Sequence, residues 1–453
     1  MRLCALVVSL FPIVSFCLFF KKKDLLNPLN VYSVLFLVGV IIPILYYYNR
    51  DNVRLLSNSY LINSLSDDWY YFKHALLQCV SYHLVLVGLS VVGASKPVVV
   101  DADDMVDDEI TRAYGIWGAL FWFVGLLAFL LIMRRAGGLL FFLSHLQTRA
   151  TFLRDLDLLG WLLPLAQYGC LLICYSRWSV AKKADRLSII LIVLTGLMCG
   201  LGGRKALFLL VAEAIAIYNY CIKRVSFRDL VNVRTVLLCL VSGLFFLIMP
   251  TLRSEGAFEA LVANPTGYIQ LIMERALSSF IRESYVPFYA AIVEFFDSHP
   301  LWFGKTYLGL LTAFIPSSLY ANKPPVDDGT YFYSIFQGRT DIMPVMPFNQ
   351  LNGSSYPPET FGSMYANFGV LGLLFGMILL GILYGLSYRL MKRQQYSLFG
   401  IIFYLQMILT FHLSTLRIVQ LIECVAIMIV VTKTAGLELF SNRKLETKRS
   451  RIK

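Results

Sequence analysis

Apolar runs free of charge recur from Leu3 to Thr434, and each approaches the roughly 20 residues needed to cross a hydrocarbon layer about 30 Å thick. Candidate spans are Leu3 to Phe20, Leu29 to Tyr48, Ala75 to Ala94, Ala113 to Met133, Leu156 to Tyr175, Leu187 to Leu201 and Leu207 to Ile222. Four more follow at Val236 to Pro250, Tyr365 to Leu386, Leu398 to Leu416 and Ile418 to Thr434. With 58% apolar and 15% charged residues over 453 positions, a water-soluble enzyme is excluded. The chain reads as an all-α polytopic membrane protein, a single integral domain over 1–453 with about eleven or twelve transmembrane helices. The first run has only Arg2 before it, no small-residue cleavage site, and three lysines after it, so it reads as a retained helix and not a signal peptide.

The net charge of +12 admits a nucleic-acid partner in principle, but its distribution argues for no nucleic acid. Basic residues cluster between apolar runs, at Lys21, Lys22 and Lys23, at Lys182, Lys183 and Arg186, at Lys223, Arg224 and Arg228, and at Arg389, Lys392 and Arg393. Such clusters mark loops held inside the cell. Arg134, Arg135, Arg149 and Arg154 resist that threading, as does the acidic run Asp101 to Glu109. A further span or a re-entrant segment, at Gly137 to Leu146 or Leu308 to Tyr320, would shift the early part.

The nine cysteines all fall inside apolar stretches, so neither a disulfide framework nor a zinc site is expected. Cys170 and Cys174 share a helix face as small core residues. Asp101 and Asp103 have the spacing with which many glycosyltransferases hold a divalent metal. The run around them also fits a solvated loop on the inner face, and no metal site is assigned.

Thr251 to Met364 is the main interruption, over a hundred residues holding ten of the chain's sixteen prolines. With Tyr331, Phe332 and Tyr333 inside it, this 251–364 segment reads as a folded periplasmic loop and not a bare linker. Ile269, Ile272, Ala276 and Phe280 recur at helical spacing, so Tyr268 to Phe296 is expected to form amphipathic helices lying along the membrane face, interrupted near Pro287. Arg275 and Arg282 stand two helical turns apart, on one side.

Gly200, Gly202 and Gly203 precede Arg204 and Lys205 in a turn between two spans. Glycines let backbone approach an anion, and two cations follow. The same turn also fits cations that snorkel to headgroups. Arg253, Arg275, Arg282 and Arg339 add cations whose forks match diphosphate oxygens, or pair with the ten carboxylates of the loop. Glu359, just before a span, and His299, before Pro300, are candidate bases. Gly372-xxx-Gly376, Gly381-xxx-Gly385 and Gly196-xxx-Gly200 suit close helix packing.

Phe303-Gly304-Lys305-Thr306-Tyr307, Ile315-Pro316, Lys323-Pro324, Glu359, and Tyr365-Ala366-Asn367-Phe368-Gly369-Val370-Leu371-Gly372 together resemble, in that order, the C-terminal signature of Wzy-type O-antigen polymerases. Gly203-Arg204 at the start of a span resembles another feature of that family. The likeness covers roughly the second half by motif and the whole chain by hydropathy pattern. It implies a bacterial inner-membrane glycosyltransferase of lipopolysaccharide biosynthesis that polymerises undecaprenyl-diphosphate-linked oligosaccharide repeat units at the periplasmic face. It implies no cofactor, a chain-length regulator and a flippase as partners besides membrane lipid, and no obligatory metal, because diphosphate is already a good leaving group. The resemblance assigns no catalytic residue. The residues themselves suggest a mechanism in which Arg204, Arg253 and Arg282 hold the diphosphate, with Arg275 and Arg339 as further cations, while Glu359, or His299 in its place, orients or deprotonates the acceptor hydroxyl. The rival readings are an O-antigen ligase, with the same donor and another acceptor, and a lipid-linked oligosaccharide flippase or other transporter.

Overall fold

A computed structural model of the chain describes residues 1–21, 24–93, 108–138, 141, 159, 162–202, 204–225, 257–268, 270, 284–315, 319–320 and 322–434. Among these residues every regular element is helical. The principal helices are α1 (Arg2–Phe19), α2 (Pro28–Tyr47), α3 (Ser59–Ser66), α4 (Asp68–Val91), α5 (Asp108–Arg135), α6 (Leu165–Ala181), α7 (Arg186–Gly202) and α8 (Arg204–Cys221). After these come α9 (Val286–Ser298), α10 (Gly329–Phe336), α11 (Glu359–Arg393), α12 (Leu398–Thr410) and α13 (Thr415–Thr434).

Five of the described helices are long and apolar enough to cross a membrane: α1, α2, α4, residues Thr111–Arg135 of α5, and α11. Two shorter apolar stretches, Arg186–Gly200 and α12, join them. Of the expected spans, Val236 to Pro250 lies outside the described residues.

Local chemistry sets the helix starts. Asn27 caps α2 by accepting from the Leu29 N–H, with Pro28 in the first turn, where its missing donor costs nothing. Asp67 caps α4 through the N–H groups of Trp69 and Tyr70. The bundle then forms around α4, which packs against α1, α9 and α11, while α5 to α8 form a second group joined to it where α8 meets α12.

Where α4 crosses α11, a Cβ on Gly88 would sit 2.2 Å from the Ile378 carbonyl oxygen, and one on Gly381 would sit 2.2 Å from the Val85 carbonyl oxygen. The backbones touch, as the small-residue spacing of Gly381 anticipates.

Two features depart from the sequence reading. The described part of the expected surface helix, α9, has nine of its thirteen residues buried, wedged between α3, α4 and α11. It is a packed bundle helix and not an exposed one. It begins at Val286 with Pro287 in its first turn, after bends at 284 and 285, in keeping with the expected interruption near Pro287. Ile269, Ile272, Ala276 and Phe280 lie outside the described residues.

The second departure is a fold-back within α11. Gly369 has φ 63° and ψ −146°, a conformation that a side chain would strain. The chain reverses there. Met364 lies against Gly376, twelve positions later, and a Cβ on Gly372 would sit 2.3 Å from the Met364 carbonyl oxygen. In one straight helix, residues 364 and 376 would stand about 18 Å apart. Glu359 to Phe368 is therefore a short arm folded back on the long arm that begins at Val370. The reversal leaves carbonyls at the end of the short arm without helical partners. The Trp302 N–H donates to Ala366 O (2.9 Å) and the Phe303 N–H to Asn367 O (2.8 Å).

Candidate active site

The short arm carries the site. It opens at Glu359, after two prolines, with φ 51°, a left-handed backbone rare for a residue with a side chain. Such strain gathers at functional positions. Glu359 Oε2 accepts from the Tyr289 hydroxyl of α9 at 2.6 Å. Oε1 lies 3.6 Å from His412 Nε2, in the turn between α12 and α13. Both side chains of this pair keep some exposure, 26% for Glu359 and 22% for His412, so the carboxylate is held but reachable.

Buried polar groups fix this geometry. Thr360 Oγ1 accepts from the Leu413 N–H (2.9 Å), which pins the His412 turn to the short arm. The Tyr307 hydroxyl donates to Leu413 O (2.6 Å). Asn367 donates through Nδ2 to Thr306 Oγ1 (2.9 Å) and to Ser363 O (2.8 Å). Residues of Phe303-Gly304-Lys305-Thr306-Tyr307 and Tyr365-Ala366-Asn367 thus meet in space, although some sixty positions separate them.

Ser363, one turn beyond Glu359, donates to Asp328 Oδ2 at 2.8 Å. Asp328 is 2% exposed. Burial pushes its carboxyl up to about 7, with the neighbouring Asp327 adding to the rise and the Ser363 hydrogen bond opposing it. A second carboxyl group therefore stands behind the arm that presents Glu359.

Beside the His412 turn, a cavity of about 560 Å3 opens between α6, α7, α8, α12 and α13. That volume suits a small ligand. Its polar lining includes Lys205, Gln406, Thr410, Arg417, Gln420 and Glu423. The charges of Arg417 and Lys205 are felt at His412, and the charge of Glu359 acts on it in the opposite sense. An anionic ligand in the cavity would meet two cations, Lys205 and Arg417, whose charges are felt at His412.

The candidate residues from the sequence separate into three groups. Glu359 is central. Arg204 begins α8 directly before the cavity-lining Lys205, although its side chain lies outside the described residues, as do Arg253, Arg275 and Arg282. His299 and Arg339 are not brought to Glu359. His299 follows the end of α9, ten residues beyond Tyr289 and so about 15 Å along the helix. Its ring stacks on Phe295 at 4.0 Å, and Nδ1 meets Phe295 O and Ser298 Oγ, each at 2.9 Å. Arg339 is committed to its own loop, where it pairs with Asp341 at 2.7 Å and donates to Gln350 O. That pairing holds the Asp341 carboxyl below its ordinary range.

Asp101 to Asp107 lie outside the described residues, among which no group of three His, Cys, Asp or Glu is placed to hold a metal.

Sequence reasoning missed Tyr289, His412, Lys205 as a cavity residue, Arg417 and Asp328. A signal existed for two of them. His412 is an ionisable residue inside what reads as the apolar run Leu398 to Leu416, and Arg417 directly follows that run. Ionisable groups in such places mark function more often than packing. Tyr289 and Asp328 carry no such signal, because they meet Glu359 and Ser363 only through tertiary packing, across 70 and 35 positions of the chain.

No family model, curated protein or solved structure matches the chain.

Proposed function

We propose that the protein is an O-antigen polymerase, a glycosyltransferase of the bacterial inner membrane that extends undecaprenyl-diphosphate-linked glycans at the periplasmic face. The observation that carries this reading is the Glu359–His412 pair, held by Tyr289 on a folded-back arm and set beside a cavity lined by Lys205 and Arg417. The ordered likeness of Phe303 to Gly372 to polymerases of that class supports it.

In this mechanism the acceptor is a hydroxyl on the sugar of an incoming lipid-linked repeat unit, and the donor is the growing glycan on its diphosphate carrier. Glu359 accepts the hydroxyl proton, and His412 beside it stabilises the carboxylate before transfer and the proton after it. The acceptor oxygen forms a bond to the anomeric carbon of the donor. The bond from that carbon to the diphosphate oxygen breaks, and undecaprenyl diphosphate leaves with the electron pair. Lys205 and Arg417 neutralise the charge that gathers on the leaving diphosphate, with Arg204 of the same turn and Arg253, Arg275 and Arg282 of the 251–364 segment as further cations. Tyr289 keeps Glu359 aimed at the acceptor.

Deletion of the gene, followed by gel separation of surface lipopolysaccharide, tests this reading. A ladder that collapses to core plus one repeat unit supports a polymerase. Core with no repeat unit at all would point instead to ligation of finished glycan, and an unchanged ladder would reject both.

A further inference from the structure

Behind the cavity lies a carboxylate that the mechanism above does not use. Glu213, on α8, is fully buried at 0% exposure within the helical bundle. Each of its oxygens accepts one carboxamide N–H. Gln167 Nε2 of α6 donates to Oε2 at 2.9 Å, and Gln406 Nε2 of α12 donates to Oε1 at 2.9 Å. Both glutamines line the cavity. Among the described residues, no Lys, Arg or His forms an ion pair with Glu213. The cations Lys205 and Arg417 line the same cavity.

Burying a carboxylate among membrane helices is costly, and a neutral amide would glue three helices together without that cost. The Glu213 carboxyl presents two oxygens in fixed positions, and each is met by the nitrogen of one carboxamide. It therefore turns the nitrogen of each carboxamide inward. The carbonyl ends are turned away from Glu213, and Gln406 Oε1 is further held by the Thr410 hydroxyl at 3.3 Å. Two amides, the Thr410 hydroxyl and the flanking rings of Tyr168 and Phe411 form a wall suited to a hydroxyl-rich ring. Lys205 and Glu213 are eight residues apart on α8, about 12 Å along its axis. A diphosphate at the cationic end would place its first sugar against this wall.

We propose that Glu213 is a positioning residue that fixes the carboxamides of Gln167 and Gln406 as the sugar-recognising end of the cavity, a role that rests on the polymerase reading above. The full-length protein in lipid nanodiscs, supplied with undecaprenyl-diphosphate-linked repeat units extracted from a polymerase-deleted strain, gives the test. E213A is expected to raise KM about tenfold while kcat stays within about twofold, because uniform substrate binding is lost and not transition-state contact. E213Q retains one acceptor and is expected to fall between the two. Q167L and Q406L, which leave Glu213 in place, are each expected to raise KM as well, and they decide the matter if E213A does not accumulate. A lower melting temperature with KM unchanged across these variants would make the cluster helix glue and overturn the proposal, leaving the polymerase reading intact. Wild-type protein that joins no units in this assay would overturn the polymerase reading, and the role of Glu213 would fall with it.

Discussion

The Tyr289 hydroxyl donates to Glu359 Oε2 at 2.6 Å, joining a helix that begins after Tyr285 to a carboxylate seventy positions further along the chain. Tyr289 is itself buried, with its ring 5.0 Å from that of Phe361, so the hydroxyl has little freedom to point elsewhere. A carboxylate held in this way has one oxygen occupied and the other turned to His412. The E359Q variant keeps the shape and loses the basicity, and its kcat is expected to fall by roughly 100-fold or more. Y289F removes one hydrogen bond to a charged group and is expected to cost about tenfold in kcat. Steady-state kinetics on nanodisc-embedded protein checks both. Equal activity in E359Q and wild type would remove Glu359 from the chemistry.

K205A and R417A should act on binding. Each removes one cation from a cavity that keeps the other, and KM for the diphosphate-linked donor is expected to rise roughly tenfold in each single variant. The double variant should depart from additivity, since the two charges share one site. Competition by inorganic diphosphate gives an independent reading, with weaker inhibition expected in both variants. Inhibition unchanged from wild type would place the diphosphate elsewhere.

Gly369 is the hinge of the fold-back, and G369A tests whether the folded arm is needed. A side chain at φ 63°, ψ −146° costs of order 1–3 kcal/mol. The variant should melt at lower temperature and lose activity beyond what reduced abundance explains, because the short arm carries Glu359. A variant of normal stability and normal activity would show that the reversal is not required.

Asp328 gives the protein a dependence on pH that can be read from stability. Its carboxyl is raised from 3.8 to about 7, chiefly by burial. The folded state therefore holds a proton that the unfolded chain releases near pH 4. The resulting stability is fully present below that pH and is lost as pH rises through about 7, with a total of a few kcal/mol. D328N cannot ionise, and its melting temperature should stay nearly level between pH 5 and pH 8, where the wild type declines. A parallel decline in both proteins would assign the effect to other groups.

Much of the helical architecture was legible in the sequence, because a run of uncharged apolar residues has few fates other than a buried or membrane-spanning helix. The starts of α2 and α4 follow from Asn27 and Asp67, and the touching backbones of Gly88 and Gly381 follow the small-residue rule. Glu359 stood out as a lone acid at the edge of a span. The reversal at Gly369 was not legible. A glycine inside Tyr365 to Leu386 reads as ordinary packing, and the turn shows only in the backbone of Gly369 and in the approach of Met364 to Gly372 and Gly376. The burial of α9 was missed for a related reason. The helical spacing that suggests an amphipathic face, Ile269, Ile272, Ala276 and Phe280, lies outside the described residues, and nothing in Val286–Ser298 itself announces that α3, α4 and α11 cover it. His299 drew notice as a histidine before a proline, whereas His412 was absorbed into an apolar run.

The most direct measurement is elongation by the purified chain alone. Nanodisc-embedded protein would be incubated with lipid-linked repeat units carrying a radiolabelled sugar, and the products resolved by length. Glycans of two or more units are expected with the wild type and none with E359Q. Single units throughout, from wild-type protein that still melts cooperatively, would contradict the polymerase reading.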